Sequence, residues 1–330
     1  MKKFLAIPFV VVLLFLLSSP VTADQYFAVD LGTLGGATSS AYAVNSAGQI
    51  VGYADVGNNI PVPFLYQYGI MTALGNAEGS ANDINDLGQV VGVSNGSAFL
   101  YQGGMLNNIG PATAASEATG INYWGDIVGV VGIDAARFGG GSWSSLGAGS
   151  FSVATAINDL GQISGYSEYV GSFVIDGGLD YFNTGYAEDI SNTGQVVGSN
   201  GHGFSYSYDG TIINLGSPGP DWSEAYGNNN LGQIVGTFAT ESGEEHAALW
   251  QGNQALDLND LLIDICQGWV LERAYDINDF GTIVGIGMNP AGQQHAFALY
   301  PTSSPPVPEP SSLLLLGLGL PFLARKINKM

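Results

Sequence analysis

The chain has 330 residues, of which 49 are glycine, and its seven Lys and Arg against 28 Asp and Glu give a formal net charge of −21 at pH 7. Between residues 24 and 308 the imbalance is larger, because only Arg137 and Arg273 accompany 27 of these carboxylates. A body this acidic repels phosphate backbones, which excludes nucleic acid as a partner. The single cysteine, Cys266, cannot form an internal disulfide, so we expect sheet packing to stabilise the fold.

Residues 1–23 are typical of a secretory signal peptide. Lys2 and Lys3 precede an apolar run over residues 4–17, and the segment ends in Val-Thr-Ala, which predicts cleavage after Ala23. A permanent membrane anchor is the alternative, but the apolar run is shorter than the roughly 20 residues that a spanning helix needs.

One sequence motif then occurs seven times. It consists of an apolar residue, a short polar turn, and a β-branched or apolar pair followed by glycine. In most copies Asn stands first in the turn and Gly fourth, a pattern that favours a type I turn with a glycine bulge and therefore a β-hairpin. The closing glycine suggests a place where another backbone approaches closely. The turn glycines are Gly48, Gly88, Gly125, Gly161, Gly194, Gly232 and Gly281.

Two further short apolar elements follow each hairpin, so each unit of roughly 40 residues contains four predicted strands. Units of this size and content are propeller blades. The last unit lacks its fourth strand, and residues 26–35 form an unassigned strand ahead of the first hairpin. We therefore predict an all-β, seven-bladed β-propeller over residues 24–301, closed by this N-terminal strand. An open β-repeat solenoid is the alternative.

A His-Ala-Phe phrase at His295 occurs in weaker form at His246 and His202. With it, residues 26–300 resemble the HAF-type extracellular repeats, a family that implies a secreted or surface-displayed bacterial protein of unassigned activity. Unit six departs most from the repeat, with Asn228 in place of Ile or Val, and residues 257–269 form an insertion before the last unit.

The C-terminal part combines a Pro- and Ser-rich linker over residues 302–306, the triplet Pro308-Glu309-Pro310, an apolar run over residues 313–324 and a basic tail. Residues 307–330 thus resemble the PEP-CTERM sorting signal of Gram-negative bacteria, which implies removal by an exosortase-type protease. The apolar run has 12 residues and contains Pro321, so we expect a helix in transient contact with the membrane. The expected location is the cell envelope, the cell surface or the extracellular matrix.

Two acidic phrases resemble calcium loops, and their candidate ligands are Asp83, Asp86, Asp276 and Asp279. The third acidic position of an EF-hand is out of register and no Glu follows at the twelfth. The same Asn and Asp residues also suit turns for local reasons. We therefore assign no metal-binding or cofactor-binding residue, and a calcium-stabilised binding module stays an alternative.

We assign no catalytic residue, because the three histidines occupy one repeat position and no Gly-x-Ser-x-Gly nucleophile turn occurs. Carboxylates outside the repeat are where a polysaccharide hydrolase or lyase would place its acid and base. These are Asp134, Asp176, Asp180, Glu244 and Glu245. The sequence favours instead a structural, adhesive or binding role at the surface. Its expected partners are the export machinery and an exosortase-type protease, with extracellular polysaccharide or surface proteins as candidate ligands.

Overall fold

The computed structural model describes residues 24–302 except 184, 208–209, 253 and 267. These residues form seven separate four-stranded antiparallel sheets arranged as a seven-bladed β-propeller. The prediction of the fold is confirmed, and the alternative of an open solenoid is wrong, because the first and last strands of the chain share one sheet. The predicted signal peptide, most of the linker and the sorting segment lie outside the described residues.

Each blade contains four strands, counted outward from the central channel. They are β2 (Gly35–Val44), β3 (Ile50–Val56), β4 (Pro61–Gln67) and β5 (Ile70–Ala73) in blade 1; β6 (Gly79–Ile84), β7 (Val90–Ser94), β8 (Ser97–Gln102) and β9 (Met105–Asn108) in blade 2; β10 (Ser116–Ile121), β11 (Ile127–Val131), β12 (Asp134–Gly139) and β13 (Ser142–Ser150) in blade 3; β14 (Ser152–Ile157), β15 (Ile163–Ser167), β16 (Gly171–Ile175) and β17 (Leu179–Asn183) in blade 4; β18 (Tyr186–Ile190), β19 (Val196–Ser199), β20 (Gly203–Tyr206) and β21 (Ile212–Asn214) in blade 5; β22 (Ser223–Asn228), β23 (Ile234–Ala239), β24 (Glu245–Gln251) and β25 (Gln254–Asp257) in blade 6; and β26 (Val270–Ile277), β27 (Ile283–Met288), β28 (Gln294–Pro301) and β1 (Tyr26–Gly32) in blade 7.

Blade 7 is closed by β1, which pairs antiparallel with β28 from Tyr26 opposite Pro301 to Gly32 opposite Ala296. The predicted three-plus-one closure is therefore confirmed, although the closing strand ends at Gly32 and Gly35 already belongs to blade 1. Closure leaves every blade with four strands, and blade 7 packs on blade 1 as the other blades pack on their neighbours.

The predicted insertion before blade 7 forms two short 3-10 helices, Leu258–Leu261 and Asp264–Cys266. It lies against the outer side of β1, where the backbone N–H of Ile263 donates to the carbonyl of Tyr26 over 3.1 Å. Buried Cys266 accepts a hydrogen bond from the Ala28 backbone N–H at its Sγ, over 3.2 Å. The insertion therefore covers the edge of the closing strand, which would otherwise offer unpaired backbone groups.

A β-bulge interrupts the first strand of every blade at the same place. An alanine pairs with the closing glycine of the second strand, and the next residue has no partner in the ladder. A Cβ on any of these glycines would overlap a carbonyl oxygen of the first strand, so the predicted close approach is confirmed. The alanines are Ala41, Ala81, Ala118, Ala154, Ala187, Ala225 and Ala274, and the glycines are Gly52, Gly92, Gly129, Gly165, Gly198, Gly236 and Gly285.

The turn asparagine stabilises both its own hairpin and the contact with the next blade. In Asn158, for example, Oδ1 accepts from the backbone N–H groups two and four residues later, and Nδ2 donates to the Ser191 carbonyl of blade 5 over 2.9 Å. Six of the seven hairpins make this link to the following blade, through Asn45, Asn85, Asn122, Asn158, Asn229 and Asn278. The sequence predicted the turn but not the link between blades.

Replacing a closing glycine should destabilise the fold sharply. In Gly129→Ala the new Cβ would overlap the Glu117 carbonyl oxygen and approach the Cα of Ala118, so we expect the free energy of unfolding to fall by about 2–3 kcal/mol. Gly139→Ala is the matched control, because its Cβ would meet no heavy atom within 4 Å. Urea denaturation measures both variants, and equal stabilities would contradict the close approach.

Replacing a turn asparagine should also be costly. Asn158→Ala leaves the backbone N–H groups of Leu160 and Gln162 without their acceptor and removes the hydrogen bond to the Ser191 carbonyl of blade 5, and we expect a loss of about 2 kcal/mol or more in unfolding free energy. The control is Asn107→Ala, whose side chain is exposed and makes only long hydrogen bonds of 3.3 and 3.5 Å. If Asn107→Ala is as unstable as Asn158→Ala, the turn asparagine has no special stabilising role and the prediction is wrong.

Candidate functional site

Two faces of the propeller meet the central channel. The hairpin face carries the turns between the first and second and between the third and fourth strands, and the crossover face carries the remaining turns and the connections between blades. The first strand of each blade lines the channel and runs from the crossover face to the hairpin face. Positions at and after its bulge therefore decide which side chains meet channel water.

Three aspartates follow the bulge directly and form the aspartate layer: Asp83, Asp189 and Asp276 from blades 2, 5 and 7. In each, Oδ1 accepts from the next backbone N–H over 2.7 Å, and Oδ2 accepts from a backbone N–H of the following blade over 2.7–2.9 Å. The other four blades have only Ala or Gly at this position. The layer therefore joins three pairs of blades while placing three carboxyl groups around one narrow space.

The aspartate layer lies beside a 210 Å³ cavity at the hairpin end of the channel. Burial raises the pKa of Asp83 to about 7 and, together with the charges of Asp189 and Asp83, that of Asp276 to about 8. Burial also raises the pKa of Asp189. Hydrogen bonds from backbone N–H groups oppose the shift but do not cancel it, so Asp83 and Asp276 take up protons near neutral pH.

These shifts predict that the protein is more stable in mild acid than in base. The pKa values in the folded state lie above the ordinary aspartate value, so the stabilisation is complete below about pH 4 and is lost as the pH rises to about 8. We expect the Tm at pH 9 to be lower than at pH 5 by about 5 °C or more.

The double variant Asp83→Asn/Asp276→Asn should flatten this dependence of Tm on pH, because its amides do not titrate. The matched control is Asp86→Asn/Asp279→Asn on the channel rim, which should keep the slope. A slope unchanged in the first variant, measured by calorimetry from pH 5 to 9, would show that other carboxylates cause it.

The four candidate calcium ligands separate into two pairs. Asp83 and Asp276 belong to the aspartate layer, whereas Asp86 and Asp279 lie on the rim and accept backbone N–H groups of Ser46 and Asn230, each over 2.8 Å. Within the part of the chain that the structure describes, no group of three or more His, Cys, Asp or Glu is arranged to hold a metal ion.

The bulge residue itself differs between two parts of the ring. In blades 2 to 4 it is a short polar residue, and Asn82, Thr119 and Thr155 each donate to a carbonyl of the next first strand over 2.5–3.0 Å. Blades 5, 6, 7 and 1 replace it with larger groups that form what we call the tyrosine arc. Its members are Glu188, Tyr226, Tyr275 and Tyr42.

The rings of the tyrosine arc contact one another in sequence around the channel. The centroid of Tyr275 lies 5.3 Å from that of Tyr226 and 5.3 Å from that of Tyr42. Tyr226 O–H donates to Glu224 Oε2, and burial raises the pKa of all three phenols. The tyrosines are therefore neutral hydrogen-bonding groups with aromatic faces.

Charged side chains accompany the arc. Arg273 Nε donates to Glu245 Oε2 over 2.6 Å, and Arg273 also hydrogen-bonds Tyr275. Burial raises the pKa of Glu188 to about 7, and the charges of Glu224 and Asp189 add to this effect. Glu188 and Glu224 are thus a carboxyl pair in which one member holds its proton near neutral pH.

A groove of 410 Å³ opens on the crossover face between blades 4, 5 and 6, and we call it the blade 4–5 groove. Glu168, Tyr169 and Tyr186 line it, and Glu224 connects it to the tyrosine arc. Tyr169 is 74% exposed and Tyr186 is 50% exposed. The sequence analysis missed both this groove and the arc. Comparing the seven units at the bulge position would have shown the arc, because large residues replace Asn and Thr there.

The three histidines and the five carboxylates outside the repeat do not form a common site among the described residues. Two histidines pair with a carboxylate of the fourth strand in their own blade, His246 with Asp257 over 2.7 Å and His295 with Asp30 over 2.9 Å. Burial alone would raise the pKa of Asp30, but hydrogen bonds from Asn289, Gly32 and His295 outweigh it and lower that pKa.

The remaining histidine, His202, lies in the turn before β20. The five carboxylates outside the repeat are distributed over blades 3, 4 and 6. Of these, Asp176 accepts from Gln162, Glu245 pairs with Arg273, and Asp134 Oδ1 is buried without a partner.

Residues 306–326 match the PEP-CTERM protein-sorting motif. The chain carries a bacterial export and surface-sorting signal. This sorting motif is recognised by exosortase, so the protein is an exported surface protein on a propeller scaffold. No curated protein matches the chain. Among residues 24–302, as far as they are described, no helix is long and apolar enough to cross a membrane. The apolar run for which we predict transient membrane contact, residues 313–324, lies outside them.

Proposed function

We propose that the protein is a binding protein of the bacterial surface or extracellular matrix, with a structural or adhesive role carried by the crossover face. The observation that supports this most is the combination of a surface-sorting motif with the tyrosine arc and the blade 4–5 groove. Both features lie where the sequence departs from its own repeat, and departures from a consistent architecture concentrate at functional positions.

The chemistry of this face suits recognition. Tyr169 and Tyr186 expose large aromatic surfaces at low conformational cost, and the carboxylates beside them provide hydrogen-bond acceptors. Binding sites commonly combine aromatic walls with a few fixed polar groups. The resemblance of the repeats to HAF-type extracellular repeats and of the C-terminus to a Gram-negative sorting signal agrees with this role, with the export machinery and an exosortase-type protease as processing partners.

A polysaccharide-active enzyme is the second candidate. Its support is that Glu188 and Glu224 lie on neighbouring first strands, β18 and β22, because a glycoside hydrolase needs two carboxyl groups of different role, and burial favours the protonated form of Glu188. In that case the acid and base lie on first strands of blades 5 and 6, not at the carboxylates singled out from sequence. Release of reducing ends from a polysaccharide would distinguish turnover from binding.

The proposed role predicts that processing and surface function fail together. In the native host lacking the protein, the wild type should restore surface-bound matrix, and intact mass should show a species starting at Asp24 and ending near Pro308. The variant Pro308→Ala/Glu309→Ala/Pro310→Ala should stay unprocessed in the membrane fraction and restore less matrix.

The control for this experiment is the variant Ser304→Ala/Pro305→Ala in the linker, which leaves residues 306–326 of the sorting motif intact. It should be processed as the wild type is. An unchanged amount of matrix in cells without the protein would contradict the adhesive role, and normal processing of the triple variant would contradict the sorting step.

A further inference from the structure

The blade 4–5 groove is lined by side chains whose chemistry narrows the choice of ligand. Among the residues that line it, Glu168 and Glu224 are the charged ones, and both are acidic. The two basic residues of the propeller lie elsewhere and are already paired, Arg137 with Asp126 over 2.7 Å and Arg273 with Glu245 over 2.6 Å. An anionic ligand would therefore meet repulsion and find no free cation.

The aromatic residues of the groove are held in place, not merely exposed. Tyr169 and Phe151 pack in a T-shaped arrangement with 5.4 Å between ring centroids, and Tyr186 and Tyr166 do so at 4.8 Å. Phe151 is 43% exposed and has a φ of 56°, a conformation that bulky residues rarely adopt. A strained, exposed aromatic residue that supports another aromatic residue indicates a recognition surface.

The backbone of the surrounding turns is already hydrogen-bonded. The N–H of Val170 donates to Ser167, that of Glu168 to Phe151 and that of Asn200 to His202, each to a carbonyl over 3.0–3.2 Å. An extended peptide that binds by adding a strand needs free main-chain groups, so these turns do not favour it. Recognition here must come from aromatic faces and carboxylates.

We propose that the blade 4–5 groove binds amine-bearing hexosamine residues of an extracellular polysaccharide. The flat faces of Tyr169 and Tyr186 suit a pyranose ring, and an ammonium group is attracted both by tyrosine faces and by carboxylates such as Glu168 and Glu224. This inference rests on the proposed function and deepens it, since it assigns the class of ligand to the same face.

Titration calorimetry with the full-length protein and a glucosamine hexamer tests the proposal. We expect binding that weakens about tenfold in Tyr169→Ala, because a cation–π contact and a stacking face are lost. A comparable loss is expected in Glu168→Gln. The N-acetylglucosamine hexamer has the same rings without the charge and should bind more weakly than the amine form.

Tyr68→Ala is the matched control, because Tyr68 is 68% exposed but lies on the hairpin face between β4 and β5. Its affinity for the glucosamine hexamer should equal that of the wild type. If Tyr169→Ala binds the hexamer as the wild type does, the interaction is attraction to the acidic body as a whole, and the proposal is wrong. Equal binding of the N-acetylated hexamer would also overturn it.

Hexalysine separates a glycan from a cationic peptide. If hexalysine binds as tightly as the glucosamine hexamer and loses the same affinity in Tyr169→Ala, the groove recognises cationic chains in general and the assignment to a glycan fails. Absence of binding by the glucosamine hexamer would overturn the proposal too. The adhesive role would then be judged separately, by the matrix retained on cells with and without the protein.

Discussion

The architecture depends on one local constraint, the pairing of an alanine in the first strand with the closing glycine of the second. A Cβ on the closing glycine would overlap a carbonyl oxygen of the first strand, and the first strand has an unpaired residue immediately after the alanine. Each blade thereby presents one bulge residue and one following residue to the channel. The side chains of the tyrosine arc occupy the bulge position, and those of the aspartate layer occupy the position after it. The pairing of the first two strands in each blade therefore also places the variable side chains.

The hydrogen bonds between hairpins of neighbouring blades show how the repeat tolerates a substitution of the turn asparagine. Blade 5 has Ser191 where six other blades have the turn asparagine, and among the described residues the Ser191 side chain hydrogen-bonds Thr193 of its own hairpin rather than blade 6. Asn228, which stands where other blades have Ile or Val, donates instead to the backbone and side-chain oxygens of Gln195 over 3.0 and 3.3 Å. The two sequence changes thus compensate each other. A hydrogen bond that blade 6 donates to blade 5 replaces the one that a turn asparagine of blade 5 would donate to blade 6.

Much of the fold could be predicted from sequence because its signals are local. The turn asparagine, the closing glycine and the missing fourth strand of the last unit each depend on neighbouring residues and on the period of the repeat. The blade 4–5 groove could not be found in this way, since its members come from three blades and meet only when the blades pack together. The tyrosine arc could be found only by comparing the bulge positions of all seven units. The repeated alanine before each bulge was a usable signal, because its occurrence in all seven units marks the next residue as special. The aspartate layer illustrates the limit: the sequence singled out Asp83 and Asp276 as weak candidate calcium ligands, and it did not predict that their oxygens accept backbone N–H groups of the next blade.

Closure by β1 also has a consequence for folding. Tyr26 and Pro301, which pair in blade 7, are separated by 275 positions along the chain, so their contact carries a large loop-closure entropy and raises the contact order of the fold. The strand must stay available until the last blade has formed. Before that moment it exposes both a free edge and an apolar face, and a blade 7 of another copy would be an equally good template. The insertion with Cys266 hydrogen-bonds Tyr26 and Ala28 from the outer side, so the closing strand is held along both of its edges.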